Sequence, residues 1–316
     1  MKYLIPLLLI PLLLFSGCSN KQQSTDQPYR IAVITMMQGG EFWGALKNGA
    51  RSARLATDAV LEFFAPVNES DYAGQIACVE RAIEQEFDAI ILSPSHHTRL
   101  SHSVNLARER GIKVVLANTD LFQSEKDFLI TSEYQEIGKQ VAEHAFSHFT
   151  ESEPINALII GSLPHTTSMM DLITSLESAF KRRNNASIKT VSYSYSSEIL
   201  ARDTARNALM ADPTINLVFA LEEYTAHGVA SALVNDQKIH FIAFGNTQHE
   251  IQLLEEEVID ALVVVNSFNL GYRSVLAAVD LIEGRNPVPK SVDYALVTKE
   301  SMFSEEHQHL LFQTFQ

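Results

Sequence analysis

The sequence predicts an α/β protein built on open parallel sheets, and three observations point there. Short runs rich in Val, Ile and Leu, apolar on both faces, alternate with longer segments of helical period. Each apolar run ends in a small or polar cluster. The alternation, once it has run through the first half of the chain, begins again in the second.

Taken in order, IAVITMM reads as the first strand and FWGALKNGARSARLA as the helix after it. AVLEFFAP, DAIILSPS and IKVVLANTD are further strands. QIACVERAIEQEF and LSHSVNLARERG are the helices between them, the second carrying Leu100, Val104 and Ala107 on one face. In the second half INALIIGS takes the place of IAVITMM, NLVFALEE that of DAIILSPS, and KIHFIAFGNT that of IKVVLANTD. Ligands of open parallel sheets sit outside the carboxyl ends of the strands. Two such sheets facing each other would bring the polar clusters to one cleft.

The N-terminus sets the compartment. Residues 1–17 have a basic Lys2, an apolar stretch from Leu4 to Phe15 too short to span a bilayer, and small Ser16 and Gly17 before Cys18. They read as an export signal of the lipoprotein type, with Cys18 lipidated. Residues 18–28 are polar and read as a flexible tether. The remaining body has the size of two ordinary domains and is 46% hydrophobic over the whole chain, with no further long apolar run. A net charge of −14, spread along the chain, disfavours nucleic acid, whose phosphates need clustered Lys and Arg. Apart from Cys18 only Cys78 remains, so neither an intrachain disulfide nor a cysteine-based metal site is expected. Cys78 falls on the apolar side of its helix and reads as a small core residue.

Together, EFWGALKNGA, FDAIILSPS, GIKVVLANTD, SEYQEIGKQVAEH, INLVFALEE, FIAFGNT, VVVNSFNLGY and EGRNPVPK resemble, in order and spacing, the type I periplasmic binding proteins. That group includes ribose and galactose binders and shares its fold with the core of LacI-type repressors. The resemblance runs from Arg30 to about Phe303. It implies two doubly wound parallel-sheet lobes joined by a hinge crossed several times, near residues 131–133, 265–267 and 290–293. The N-terminal lobe would comprise 29–132 with 266–292, and the C-terminal lobe 133–265 with 293–316. The export signal and the lack of a helix-turn-helix exclude the repressor alternative.

The resemblance also assigns a site. In sugar-binding relatives two aromatics at the start of the first helix stack on the sugar ring, and Phe42 and Trp43 fall there. A ring C–H face against a flat aromatic is sound chemistry, although a buried core position would also account for Trp43, the chain's one tryptophan. The polar positions depart from the sugar pattern. An Asp–Arg pair after the fourth strand becomes Asn118 and Thr119, and a clamping Arg aligns with Thr174. An Asn becomes Glu222, an Asp becomes Gly245 with Asn246 beside it, and a Gln falls at Val265 before Asn266. The expected ligand contacts are therefore Phe42, Trp43, Asn118, Thr119, Glu222, Asn246 and Asn266. Without an Arg the set favours a neutral or cationic sugar-like ligand over an anion. Glu222 serves equally well as ligand contact or helix cap, and Glu223 is expected to be the cap.

Other polar features read as structural. His96 at the rim reads as a solvated loop residue in preference to a ligand contact. His144 and His148 have the i, i+4 spacing of a helical zinc pair, but no third ligand at matching spacing accompanies them, so they read as a solvated helix face. Ser162, His165 and Ser168 lack the strand–turn context of a nucleophile elbow, and NESDYAG lacks the acidic spacing of a calcium loop. No metal, cofactor or catalytic set is expected. The function that follows is a lipid-anchored, extracytoplasmic solute-binding protein. It would present a captured sugar-like ligand to an ABC-type permease or, alternatively, report it to a membrane histidine kinase or chemoreceptor.

Overall fold

The computed structural model describes residues 27–233, 239–288 and 291–312. The signal segment, Cys18, most of the tether and Lys290 lie outside them. Among the described residues no helix is long and apolar enough to cross a membrane.

The first sheet is built from β1 (Arg30–Ile34), β2 (Val60–Phe64), β3 (Ala89–Leu92), β4 (Lys113–Ala117) and β5 (Phe128–Ile130), ordered β2-β1-β3-β4-β5 and wholly parallel. Its inner strands are apolar on both faces because helices cover both. α1 (Glu41–Thr57) and α9 (Ser267–Ile282) bury Val33, Ile91 and Val115 on one side. α2 (Tyr72–Glu84) and α3 (Ser101–Glu109) bury Ile34, Ile90 and Leu116 on the other. α1 and α9 cross in backbone contact. A Cβ on Gly49 would lie 1.8 Å from the Phe268 carbonyl oxygen, and one on Gly271 would lie 1.9 Å from that of Leu46.

The second sheet uses β6 (Ile155–Gly161), β7 (Ala186–Tyr193), β8 (Leu217–Ala220), β9 (His240–Phe244), β10 (Ala261–Val265) and β11 (Tyr294–Val297), ordered β11-β10-β9-β8-β6-β7. α4 (Tyr134–Ser147) and α5 (Thr167–Lys181) cover one face. α6 (Glu198–Ala211), α7 (Glu223–Ala232), α8 (Gln248–Glu255) and α10 (Glu305–Leu311) cover the other. The sheet is parallel except for β11, which pairs antiparallel with β10. The exception follows from the chain path: β10 leaves the lobe at the hinge and β11 enters it there, so adjacent segments run in opposite directions.

Three strands of chain make that hinge. Val292 N donates to Thr131 O at 3.0 Å, Ser132 Oγ to Val292 O at 3.1 Å, and Asn266 N to Asp293 O at 2.9 Å. In each sheet the first strand has its successor on one side and the third strand on the other. These switch points open a crevice at the carboxyl ends of the strands, and the two crevices face each other.

Candidate functional site

The site begins where β1 hands over to α1. Gly40, with φ of 91°, occupies the N-cap position and has no side chain to satisfy the first turn. The missing acceptor comes from the other lobe. The Glu223 carboxylate accepts from Glu41 N at 2.9 and 3.1 Å and from Phe42 N at 3.2 Å. Gly is required at the cap, since a Cβ there would stand 2.6 Å from Glu223 Oε1.

Trp43, 4% exposed, packs edge-to-face on Phe42 with ring centroids 4.9 Å apart. Its Nε1 donates to Glu69 Oε1 at 2.8 Å. Glu69 lies just before α2, which Asp71 caps through Gly74 N. Its second oxygen accepts from Ser196 Oγ of the opposite lobe at 2.7 Å. After β4, Asn118 takes a left-handed φ of 71°, which Asn tolerates better than most residues. Its amide oxygen accepts from the Tyr134 hydroxyl.

The second lobe supplies the facing wall. Glu222 caps α7, accepting from Tyr224 N at 3.0 Å and Thr225 N at 3.1 Å. Asn246, after β9, donates its Nδ2 to the carbonyls of Leu310 and Leu311, at 3.3 and 3.1 Å. Ser162, Thr166 and Ser168 add hydroxyls, while Met169 and Leu172 add apolar surface. The cavity thus formed lies between the two lobes and is partly open to solvent.

Phe42, Trp43, Asn118, Glu222 and Asn246 line this cavity; Thr119 and Asn266 do not. The Thr119 hydroxyl is committed to lobe closure. It lies 2.8 Å from Thr167 Oγ1 and accepts from Thr167 N at 3.0 Å. Asn266 caps α9, accepting from Asn269 N at 2.9 Å within the hinge. Thr174 is exposed on α5, whose first turns present Ser168, Met169 and Leu172 instead. Glu222 combines its two open roles, capping α7 and lining the cavity, whereas Glu223, expected to be the cap, instead reaches across the cleft to Glu41 N and Phe42 N. Sequence reasoning missed Glu69 and Tyr134. Glu69 is 127 residues from Ser196, so no local pattern marks it. His96 is not a free loop residue either, since its ring packs against those of His97, His165 and Tyr72.

The electrostatics are one-sided. Burial, with repulsion from Glu69 and Glu223, pushes the Glu222 carboxyl up to about 8. Burial also raises Glu223 to about 7 against its backbone hydrogen bonds, and it raises Glu69 against those from Ser196 and Trp43. Among the described residues lining the cavity there is no Lys or Arg. An anion entering it would be desolvated with no partner. A neutral polyol finds donors, acceptors and an aromatic wall.

A family model described as a periplasmic binding protein domain matches residues 31–286. The D-allose-binding periplasmic protein of Escherichia coli K12 is 21% identical over 285 residues, covering 85% of this chain and 91% of that protein. An ABC transporter solute-binding protein from Agrobacterium vitis, solved with bound D-fucose, superposes with a TM-score of 0.84 at 24% identity, over 90% of this chain and all of that one. A carbohydrate transporter solute-binding protein from Agrobacterium radiobacter, in complex with D-arabinose, gives a TM-score of 0.85 at 22% identity, over 91% of this chain and all of that one.

Proposed function

Because the chain belongs to the periplasmic binding protein family, whose members bind solutes and are not enzymes, we propose that it captures a neutral sugar between its lobes for an ABC-type permease. The observation that supports this most is the interlobe cavity itself, with the Phe42–Trp43 pair on one wall and neutral hydrogen-bonding groups on the others. The sugar's C–H face packs on the aromatic pair, and its hydroxyls meet Asn118, Asn246 and Glu222. At neutral pH a Glu222 carboxyl held near 8 keeps its proton. It then donates as well as accepts, which suits a hydroxyl better than an ammonium group. The sugars named for the relatives, D-allose, D-fucose and D-arabinose, are likewise uncharged.

Capture would proceed by rotation about the hinge. Closure brings Glu223 onto the α1 N-terminus, Ser196 onto Glu69, and Thr167 onto Thr119. The closed surface, absent from the open form, is what a permease would read. Export by the segment 1–17 and a lipid on Cys18 would keep the carrier beside its partner. Replacing Cys18 with Ser should move the protein from the membrane to the soluble fraction.

The test of capture titrates D-allose, D-fucose, D-arabinose and D-glucosamine into the purified protein, following Trp43 emission and melting temperature together. A saturable response to a neutral sugar is expected. A response to D-glucosamine alone would refute neutrality, and silence of both signals with every compound would refute sugar capture.

A further inference from the structure

At the end of the second lobe away from the cleft, four side chains from three distant segments converge. His144 and His148 lie one turn apart at the end of α4, His240 opens β9, and Asp260 ends the turn between α8 and β10. The cleft is at the carboxyl ends of the strands, so the starts of β9 and β10 are on the opposite edge. The spacing of His144 and His148 suggests a zinc pair but supplies no third ligand in sequence; the fold brings one from about ninety residues away.

The geometry is specific. The Nε2 atoms of His144 and His148 are 3.4 Å apart, and His240 Nδ1 is 3.3 Å from Asp260 Oδ1. One ligand atom each from His148, His240 and Asp260 lies within 4.8 Å of the others. The His148 and His240 rings stack at 4.5 Å, with Phe149 edge-on to His240. Asp260 Oδ2 accepts from Phe241 N at 2.6 Å, which fixes the carboxylate with Oδ1 toward the histidines.

We propose that His148, His240 and Asp260, with His144 as the fourth ligand, form a binding site for a divalent transition metal of the zinc class. Tetrahedral zinc with bonds of about 2.0–2.2 Å holds its ligand atoms about 3.3–3.5 Å apart. Two pairs in this cluster already stand at that separation, His148, His240 and Asp260 lie within 4.8 Å of one another, and His144 adjoins them through His148. Imidazole nitrogen with a single carboxylate selects zinc-like ions over magnesium or calcium, which take oxygen ligands.

A second histidine trio gives the contrast. His96, His97 and His165 span the mouth of the cleft, but no carboxylate belongs to the group. Arg99 adds positive charge beside it, and His96 Nδ1 already accepts from Thr98 N at 3.2 Å. A cation is therefore directed to the second lobe. There it joins α4 to β9 and β10 within one body, stabilising that lobe without touching ligand capture.

The experiment titrates zinc chloride into untagged, chelator-stripped protein by calorimetry, and records the visible spectrum with cobalt(II). Parent protein is compared with H148Q, D260N, H144Q and H165Q. The expected result is one zinc per chain, cobalt bands of tetrahedral intensity, and a zinc-dependent rise in melting temperature. Affinity should fall at least about tenfold in H148Q and D260N, while H165Q matches the parent. If H148Q fails to fold, the half-buried H144Q provides the same readout. Zinc binding no tighter in the parent than in D260N, or a loss confined to H165Q, would overturn the proposal.

Discussion

Replacing Glu223 with Ala should open the cleft without unfolding either lobe. The carboxylate accepts from Glu41 N and Phe42 N, and α1 has no cap of its own because Gly40 lacks a side chain. Loss of an N-cap costs about 0.5–2 kcal/mol, and an ordinary hydrogen bond contributes about 0.5–1.5 kcal/mol. The acceptor and the helix it caps belong to different lobes, so the loss falls on the closed form alone. A penalty of about 1–3 kcal/mol on closure corresponds to about 5- to 150-fold weaker ligand binding. Acrylamide quenching of Trp43, 4% exposed in the closed form, reports closure even before a ligand is chosen. E223A should raise that quenching and weaken sugar affinity, with the melting temperature of the unliganded protein nearly unchanged. If affinity holds within twofold while the melting temperature falls, Glu223 supports its own lobe and the latch does not exist.

Three further outcomes follow from the same contacts. W43F removes the donor to a Glu69 that is 5% exposed. An orphaned buried acceptor costs about 1–3 kcal/mol, so a lower melting temperature and weaker sugar binding are both expected. E222Q should flatten the pH dependence of stability. The folded carboxyl sits at about 8 against an ordinary 4.5, so the folded chain holds a proton that the unfolded chain releases. That contribution is complete below pH 4.5 and is lost as pH rises toward 8. The parent's urea midpoint should therefore drop more than that of E222Q between pH 5 and 8. G49A drives a methyl group into the Phe268 carbonyl, and helix separation should cost several kcal/mol, at or above the usual overpacking range of about 1–3 kcal/mol; an unchanged melting temperature would show that the helices have slack.

The sheets were legible in the sequence because their inner strands are covered on both faces. IAVITMM and DAIILSPS give continuous apolar runs, and β1 and β3 form within them. β7 escapes that reading because it is an edge strand of half-buried residues with polar Ser187, Lys189 and Thr190 among them. β5, three residues long, is too short to carry a period. In the site, Phe42, Trp43 and Asn118 were expected from the family resemblance, and they line the cavity beyond the ends of β1 and β4. Glu69 and the crossing of Glu223 follow from contacts between lobes, and local patterning holds no trace of those. The same limit applies to His144 and His148, whose neighbour His240 is brought close only by the folding of the second lobe.

The crossing of Gly49 and Gly271 has a bearing on how the chain comes into being. α9 is threaded back to the first sheet only after the second has been spelled out almost to its end. During synthesis, which proceeds from the N-terminus, the early half can pair its strands but leaves the α9 groove on α1 open. Its largest helix–helix seam closes late, across a long separation in sequence, and such contacts form slowly. The first lobe therefore completes its core only after most of the chain has been made. In a family whose members work outside the cytoplasm, such a delay would favour export over premature folding.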